Sequence, residues 1–381
     1  MIRRALLTLS GCALMVVASV STAQSDAYRS MLYDFNVTPV AEELEVPWSM
    51  AWLPNGDMLI TERIGRLRIV RNGSLLAAPV EGVPEVLHAG QGGLFDVVPH
   101  PEFASNNLIY LSFAKPLGDG STTAVVRGKF ENDRISDLET IFQADSEGRN
   151  GHYGARMAFD GEGYLYISTG DRQAPPSGDL AAHQAQDLSN HAGTIVRLHD
   201  DGRVPSDNPF IGRRDALPEI YSYGHRNPQS LAIHPVTGDL WAGEHGPQGG
   251  DELNIVAPGV NFGWPVIGFG VNYGPGTPIH SAQQQSGMES PKHYWVPSIA
   301  TSGLMIYSGD LFPNWKGDIF VGGLRGQLLA RVDISDDGKT AMMDESLMVG
   351  IGRVRDVRQG PEGAIYLATD TKGVLRLTPS E

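Results

Sequence analysis

Cysteine is almost missing from this chain, since Cys12 is the single cysteine among 381 residues. An internal disulfide is therefore excluded, and thiol chemistry is excluded as well once the segment around Cys12 is removed. Positive charge is scarce too: 29 lysines and arginines face 44 aspartates and glutamates, a formal net charge of −15. A surface this acidic disfavours nucleic acids and anionic membranes, and it tolerates bound cations.

Long stretches with the 3.6-residue period of amphipathic helices are missing as well. The 46 glycines, the 25 prolines and a charged fraction of only 19% suit many short strands joined by turns. Three catalytic signatures are also absent from the sequence: a Gly-x-Ser-x-Gly nucleophile elbow, the closely spaced histidines of a zinc helix, and the glycine motif of a Rossmann site.

The first 23 residues predict a secretory signal peptide. Arg3 and Arg4 form a basic start, residues 5–20 are largely apolar, and residues 21–23 offer a small-residue cleavage site. The apolar run is shorter than the roughly 20 residues that a membrane span needs. We therefore expect no membrane span and a periplasmic or secreted protein. Removal takes away two positive charges, which gives −15 − 2 = −17.

Residues 9–12 also resemble a bacterial lipoprotein cleavage site that ends at Cys12. Apolar residues continue after Cys12, where a lipoprotein would turn polar, so the pattern favours plain secretion over lipid anchoring. Residues 24–33 follow as a short polar lead, which we expect to be flexible.

One hairpin pattern recurs along the rest of the chain: a polar residue, an alternating strand, a turn rich in Pro, Asn, Asp or Gly, and a second apolar strand. The six copies span residues 47–60, 91–111, 149–171, 226–241, 304–321 and 355–367. Further strands between the copies give about four strands per unit, the content of a propeller blade. The sequence therefore predicts an all-β fold, a six-bladed β-propeller of four-stranded antiparallel blades, as a single domain over residues 34–381.

We expect residues 37–44 to supply the outer strand of the last blade and so to close the ring. A β-sandwich is the competing architecture, but a sandwich has no need to repeat one hairpin six times. The tryptophans are expected to anchor the blade cores rather than to form a sugar platform.

The third hairpin places two ionisable residues together. An antiparallel hairpin puts the start of its first strand beside the end of its second, so His152 and Asp171 should meet at one edge of the sheet. A neutral imidazole beside a carboxylate is a base with an orienting partner.

Equivalent blades would bring the starts of all first strands and the ends of all second strands to one mouth of the central channel. The starts carry Gln91, His152, Arg226, Arg353 and Arg355, and the ends carry Glu62, Asp171, Glu244 and Arg325. Polar residues commonly flank strands, so no single member of this set indicates a site. Four arginines around one pocket repel each other, however, and together they indicate an anionic ligand.

The turn over residues 244–254 mixes glycine, proline and carboxylates directly after a return strand. Such a turn can aim carbonyl and carboxylate oxygens at a hard cation, and Ca²⁺ fits best. It lacks the spacing of an EF-hand, so an ordinary acidic loop is the alternative.

Six short motifs occur along the chain: Gln91-Gly92-Gly93-Leu94, Gly151-His152-Tyr153-Gly154-Ala155-Arg156, Tyr223-Gly224-His225-Arg226-Asn227-Pro228-Gln229, Glu244-His245-Gly246-Pro247, Gly250-Asp251-Glu252-Leu253-Asn254 and Arg353-Val354-Arg355-Asp356-Val357. From about residue 45 to the C-terminus, the chain resembles the soluble pyrroloquinoline quinone (PQQ)-dependent sugar dehydrogenases. It looks closest to their periplasmic aldose sugar dehydrogenase branch. The resemblance implies a quinoprotein that oxidises aldoses to lactones.

The resemblance also implies roles at the channel mouth. His152 matches the general base that takes the proton of the sugar C1 hydroxyl, and Asp171 matches the carboxylate that orients this base. Arg226 matches an arginine beside the quinone carbonyls, and Gln91 matches a residue that hydrogen-bonds the quinone.

The remaining roles concern the cofactor's carboxylates and calcium. Arg353 and Arg355 match the pair that holds the carboxylates, and Arg325 falls where the family uses a lysine or another cation. The resemblance assigns calcium to four further positions: the backbone carbonyls of Gly246 and Pro247 for the cofactor calcium, and Glu252 with the carbonyl of Phe262 for a second, structural calcium.

Two other functions remain open from the residues alone: a calcium-dependent propeller hydrolase of the lactonase type, and a cofactor-free binding propeller. Neither needs the arginine cluster, whereas PQQ carries three carboxylates. Gly151 stands where the glucose-specific branch has an aspartate, and the long dimer-forming loops of that branch are missing. We therefore expect a monomer, and the sequence specifies neither the sugar nor the electron acceptor.

Overall fold

Six antiparallel sheets form a closed ring, which confirms the six-bladed propeller. A computed structural model describes residues 26–380 except 119, 147, 149 and 150. The predicted signal peptide, with Cys12 inside it, lies outside these described residues. Within them, no helix combines the length and apolarity that crossing a bilayer requires.

The strands, in chain order, are β1 (Asp26–Arg29), β2 (Asp34–Ala41), β3 (Pro47–Trp52), β4 (Met58–Glu62), β5 (Arg66–Arg71), β6 (Ser74–Leu75), β7 (Leu94–Pro99), β8 (Leu108–Leu117), β9 (Gly120–Glu131), β10 (Arg134–Gln143), β11 (Met157–Phe159), β12 (Leu165–Ser168), β13 (Thr194–Leu198), β14 (Ile220–Tyr223), β15 (Pro228–Ile233), β16 (Leu240–Glu244), β17 (Asp251–Val256), β18 (His293–Trp295), β19 (Thr301–Ile306), β20 (Ile319–Gly323), β21 (Leu328–Ile334), β22 (Ala341–Leu347), β23 (Val354–Gln359), β24 (Ile365–Thr369) and β25 (Gly373–Pro379). The helical pieces are short: α1 (Phe103–Asn106) and three 3₁₀ turns at Leu180–Ala182, Gln184–Gln186 and Pro313–Trp315.

Each blade is an antiparallel meander whose first strand lines the channel. Blades one to five have the strand orders β3-β4-β5-β6, β7-β8-β9-β10, β11-β12-β13-β14, β15-β16-β17-β18 and β19-β20-β21-β22. The six predicted hairpins coincide with the two inner strands of the six blades. Turn residues recur there because each inner strand must reverse tightly into its neighbour.

Blade six closes the ring with both ends of the described chain. Its order is β23-β24-β25-β2-β1, and β2 pairs antiparallel with β25, Asn36 opposite Thr378. The predicted closure by an N-terminal outer strand is thus confirmed. β1 lies within the segment expected to be a lead, and the Tyr28 ring stacks on Phe35 with ring centres 5.9 Å apart.

The hydrophobic core is divided into layers between neighbouring blades. Between blades five and six, for example, Trp315, Phe320 and Leu367 are fully buried in one cluster. Equivalent clusters fill the other five interblade spaces. Because each blade packs only on its neighbours, the ring holds the inner strands in fixed register, and their ends form a rigid rim around the channel.

Candidate active site

The channel mouth contains two adjoining cavities that share Gln91. The outer cavity, of about 410 Å³, is lined by His152, Asp171, Arg226 and Trp264 among others. The inner cavity, of about 130 Å³, leads towards the channel and is bounded by three arginines. The outer volume lies in the range of small-molecule sites.

His152 and Asp171 form a hydrogen-bonded pair at the base of the outer cavity. His152 Nδ1 donates to Asp171 Oδ1 at 2.5 Å. His152 lies just before β11 and Asp171 just after β12, so the hairpin brings the two residues together. With Nδ1 committed, Nε2 is the ring nitrogen left to take up a proton, and no described residue hydrogen-bonds to it.

The Asp171 carboxylate is buried and held from several directions. Its Oδ1 also accepts from the Gln173 backbone N at 2.9 Å, and its Oδ2 accepts from Trp264 Nε1 at 2.8 Å. Its own backbone N donates to the Arg226 carbonyl at 2.8 Å. These contacts fix the carboxylate, and with it the orientation of the His152 ring.

The electrostatic environment keeps His152 neutral and Asp171 ionised. Burial lowers the pKa of His152 below its ordinary value of 6.5, and nearby Arg226 and Arg172 lower it further, against the opposing effect of Asp171. Burial alone would raise the pKa of Asp171, but the hydrogen bond from His152 and the charge of Arg226 outweigh it, and that pKa is lowered. The pair is therefore a neutral base beside an anion.

The backbone of His152 adopts an uncommon conformation, with φ of 47°. Gln91 Oε1 accepts from the His152 backbone N at 2.8 Å, and Arg172 Nη1 donates to the Gly151 carbonyl at 2.7 Å. A Cβ at position 170 would overlap the His152 carbonyl, so Gly170 provides the space for this turn. A strained residue that its surroundings hold in place is typical of functional sites.

Arg226 lies across the outer cavity, and not all of its N–H groups have hydrogen-bond partners in the described part of the chain. Its Nη1 donates to the carbonyl of Gly246 at 2.8 Å and to that of His245 at 3.2 Å. Its Nε is buried without a hydrogen-bond partner among the described residues. The guanidinium carbon lies 5.2 Å from the centre of the Trp264 ring.

The inner cavity is positively charged. Arg353 Nε donates to Asp370 at 2.9 Å, and Arg355 makes two contacts of 3.1 Å with the same carboxylate. Arg63 completes the rim. Arg325, which the resemblance placed beside the cofactor, is exposed and is absent from the described lining of both cavities.

The four predicted calcium ligands surround a third, much smaller cavity of about 20 Å³. That volume suits one ion or one water. Glu244 and Glu252 also line it and lie opposite each other on neighbouring strands, where Asn254 Nδ2 donates to both, at 3.1 and 3.2 Å. Burial and the neighbouring Glu244 raise the pKa of Glu252 well above 4.5.

Sequence reasoning missed three residues of the site: Arg63, Arg172 and Trp264. Trp264 was expected to anchor a core, yet its indole N–H binds Asp171. Arg172 packs on the ring of Tyr153 at 3.8 Å and supports the backbone before His152. Of the three, only Arg63 could have been predicted from the sequence, because it directly follows the second strand of a blade, as His245 does.

Comparison with known proteins gives a consistent result. A family model described as Glucose / Sorbosone dehydrogenase matches residues 44–377. The chain is 41% identical over 353 residues to the aldose sugar dehydrogenase YliI of Escherichia coli (strain K12), covering 90% of this chain and 93% of that protein.

Two solved structures share the fold over nearly the whole chain. The soluble aldose sugar dehydrogenase of Escherichia coli in its apo form superposes with a TM-score of 0.85 at 39% identity, covering 91% of this chain and 100% of that one. The PQQ-bound aldose sugar dehydrogenase of Streptomyces coelicolor superposes with a TM-score of 0.72 at 26% identity, covering 94% and 99%.

Proposed function

The chain belongs to the glucose/sorbosone dehydrogenase family, and from this premise we propose that it oxidises aldose sugars at C1 to the lactone with PQQ as its cofactor and His152 as general base. The observation that carries the proposal is the junction of two cavities at Gln91. A neutral base backed by a carboxylate opens into one cavity, and an arginine cluster lines the other. A base and an anion-binding rim are what this reaction needs in one place.

The inner cavity fits a polycarboxylate. Arg353 and Arg355 share the single carboxylate of Asp370, so positive charge is left uncompensated. Burial lowers the pKa of Arg355, with Arg353 and Arg63 adding to the effect against Asp370, so an added anion would be favourable there. Guanidinium groups bind carboxylates through two parallel hydrogen bonds.

PQQ would supply the hydride acceptor when it is bound, and the chain supplies the rest. His152 Nε2 takes the proton of the sugar C1 hydroxyl while Asp171 holds the Nδ1–H tautomer and stabilises the imidazolium that forms. The Arg226 guanidinium places positive charge beside the turn at Gly246, whose carbonyl it contacts. The orphaned Arg226 Nε is a further donor there.

The donor set also fits Ca²⁺, with one condition. The Gly246 carbonyl already accepts from Arg226, so a cation there would have to share this oxygen with a positively charged donor. The Pro247 carbonyl accepts no hydrogen bond from the described residues. Glu252, the carbonyl of Phe262 and Glu244 would hold the second ion, because two facing carboxylates need a cation or a proton between them.

The signal peptide over residues 1–23, secretion into the periplasm and a monomeric state belong to the same proposal. The physiological electron acceptor is left open by it.

The test is to purify the protein without cofactor, add PQQ and Ca²⁺, and follow dye reduction with glucose and other aldoses. Reduction should require PQQ and should disappear in excess chelator. Hydrolysis of a lactone by the calcium-loaded, PQQ-free protein would support the hydrolase instead, and failure to bind PQQ would refute the cofactor assignment.

Asp171→Asn should move the acidic limb of the pH–rate profile to lower pH. The charged groups that face His152 are Asp171, Arg226 and Arg172, and only Asp171 raises its pKa. In the wild type the limb should lie below pH 6.5, because His152 must be neutral to act and its pKa is lowered. Removing the anion lowers this pKa again. The measurement is kcat/KM against pH with PQQ saturating, and an upward shift would contradict the assigned pair.

Glu252→Gln should raise the melting temperature of the metal-free protein and remove the part of its calcium response that comes from the second site. The substitution removes one of two facing buried carboxylates and also removes the ligand. In the wild type, calcium at 100-fold above its Kd should add about 2.7 kcal/mol, or about 4 °C for a chain of this size. Thermal unfolding with Ca²⁺ and with chelator measures both effects. Glu43→Gln, at an exposed position, is the control and should keep the calcium response.

A further inference from the structure

Arg63 occupies a repeated position of the propeller that faces the inner cavity. It is the first residue after β4, the second strand of blade one. The equivalent residues of blades four, five and six are His245, Leu324 and Asp370. His245 and Leu324 line the same cavity as Arg63, and Asp370 binds the arginines there. The register of the fold therefore directs position 63 at the channel mouth.

No carboxylate compensates the Arg63 side chain. Its Nε is buried, and neither an ion pair nor a hydrogen bond engages the side chain among the residues described. The neighbouring carboxylate of Glu62 is already used, because Arg66 Nε binds it at 2.6 Å and Arg68 Nη1 lies 3.4 Å from it. Arg355 differs, since it is paired with Asp370.

The Gln91–Gly93 loop is shaped around Arg63. A Cβ at position 93 would overlap the backbone carbonyl of Arg63 and its side-chain Cγ, and Gly93 has φ of 151°, which side chains rarely adopt. The Leu94 backbone N donates to the Arg63 carbonyl at 3.1 Å. The same loop supplies Gln91 to both cavities, so the space for Arg63 is part of how the site is built.

We propose that Arg63 is a third carboxylate-binding arginine for the cofactor, in the cationic role that the family resemblance implied for Arg325. The inference rests on the proposed function, because the anion it names is PQQ. Three guanidinium groups around the cavity face one carboxylate, that of Asp370, among the described residues. A planar polycarboxylate is the class of ligand that balances this arrangement, since each guanidinium can bind one of its carboxylates through two hydrogen bonds.

The experiment is a titration of the apoprotein with PQQ in the presence of Ca²⁺, followed by quenching of tryptophan fluorescence, to which Trp48 in the cavity wall contributes. Arg63→Ala should weaken PQQ binding by about 10- to 100-fold, as expected for a lost charge-assisted contact. Arg63→Lys should bind PQQ with an intermediate affinity, because lysine keeps the positive charge but cannot make two parallel hydrogen bonds to a carboxylate. Arg213→Ala is the control, because Arg213 is a surface arginine outside both cavities, and it should bind PQQ like the wild type.

Stability of the apoprotein separates binding from a structural role. Removing an unpaired cation from a positive cluster should leave the melting temperature of the apoprotein unchanged or slightly higher, whereas loss of a structural residue would lower it. Equal PQQ affinity of Arg63→Ala and the wild type, with Arg355→Ala clearly weaker, would overturn the role of Arg63 alone. Wild-type protein that does not bind PQQ would overturn the proposed function instead.

Discussion

His152→Ala protein, fully loaded with PQQ and calcium, is expected to lose sugar oxidation by roughly 100- to 10,000-fold, the usual contribution of a positioned base. Cofactor affinity should hardly change, because His152 does not line the inner cavity that carries the arginines. The loss follows from geometry: His152 carries its proton-accepting nitrogen into the outer cavity while Asp171 occupies the other nitrogen at 2.5 Å.

The fold should tolerate this change. His152 lies outside the strands and belongs to none of the hydrophobic clusters between blades. Its φ of 47° is costly for alanine, so His152→Asn is the companion variant, since asparagine accepts this backbone conformation more readily. Both variants should lose turnover to a similar extent, whereas a purely conformational effect would spare the asparagine variant.

Single-turnover reduction of bound PQQ by an aldose is the decisive measurement, with cofactor occupancy checked by absorbance. His191→Ala is a matched control, because His191 forms a comparable buried pair with Glu219, at 3.0 Å, away from the two mouth cavities. That control should lower stability and keep the rate. A His152→Ala protein that reduces PQQ at nearly the wild-type rate would show that the base lies elsewhere at the mouth.

The fold was predictable because its information is local. Each inner hairpin is recognisable in the sequence as an alternating strand followed by a turn. Because the copies recur in order, the six blades and the ring closure by residues 37–44 could be predicted without information on long-range contacts. The pairing of His152 with Asp171 is local in the same sense, since one hairpin joins them. The strand β1 escaped prediction because four polar-flanked residues carry no period. It is a strand because it pairs antiparallel with β2, where the Tyr28 ring also packs on Phe35.

The arginines around the inner cavity show how strongly a prediction of side-chain direction depends on the exact end of a strand. β20 ends at Gly323, so Leu324 takes the cavity position and Arg325 turns to solvent. β4 ends at Glu62, so the cavity position falls to Arg63, which the sequence reading passed over. In both blades the cavity position is the first residue after a five-residue strand. A position chosen one residue away carries a side chain that points to the opposite side.

Contacts between blades had no sequence signal at all. Trp264 lies in the long connection after β17 and binds Asp171 of blade three, a partner 93 positions away. Nothing in the composition of either segment specifies that contact. It exists because the closed ring brings the two loops to the same mouth, so it can be found only once the ring is known.

Below the mouth, buried charges tie the inner strands together across the channel. Arg156 Nη1 lies 3.0 Å from Asp356 and 3.3 Å from Asp96, and its guanidinium packs over Trp48 at 4.2 Å. The Asp96 carboxylate also accepts from the Met157 backbone N at 2.8 Å. These contacts link blades one, two, three and six, and Arg156 is only 1% exposed. Arg358 contacts the same two carboxylates, at 3.1 and 2.9 Å, so removing Arg156 would leave them, among the described residues, with one cation instead of two.

Arg156→Met should therefore be strongly destabilising, costing on the order of 3–5 kcal/mol, as when one partner of a buried ion pair is removed. In a chain of this size the melting temperature should fall by about 5 °C. Urea unfolding of the apoprotein gives the free energy of unfolding. Arg213→Met is the control, because Arg213 pairs with Asp215 at the surface, where solvent screens the pair and its loss should hardly change stability. Adding Asp96→Asn to Arg156→Met should recover part of the loss, since it removes a buried carboxylate that has lost one of its two cations. Strict additivity of the two changes would mean that the pair is not coupled and that Arg156 acts through packing on Trp48 instead.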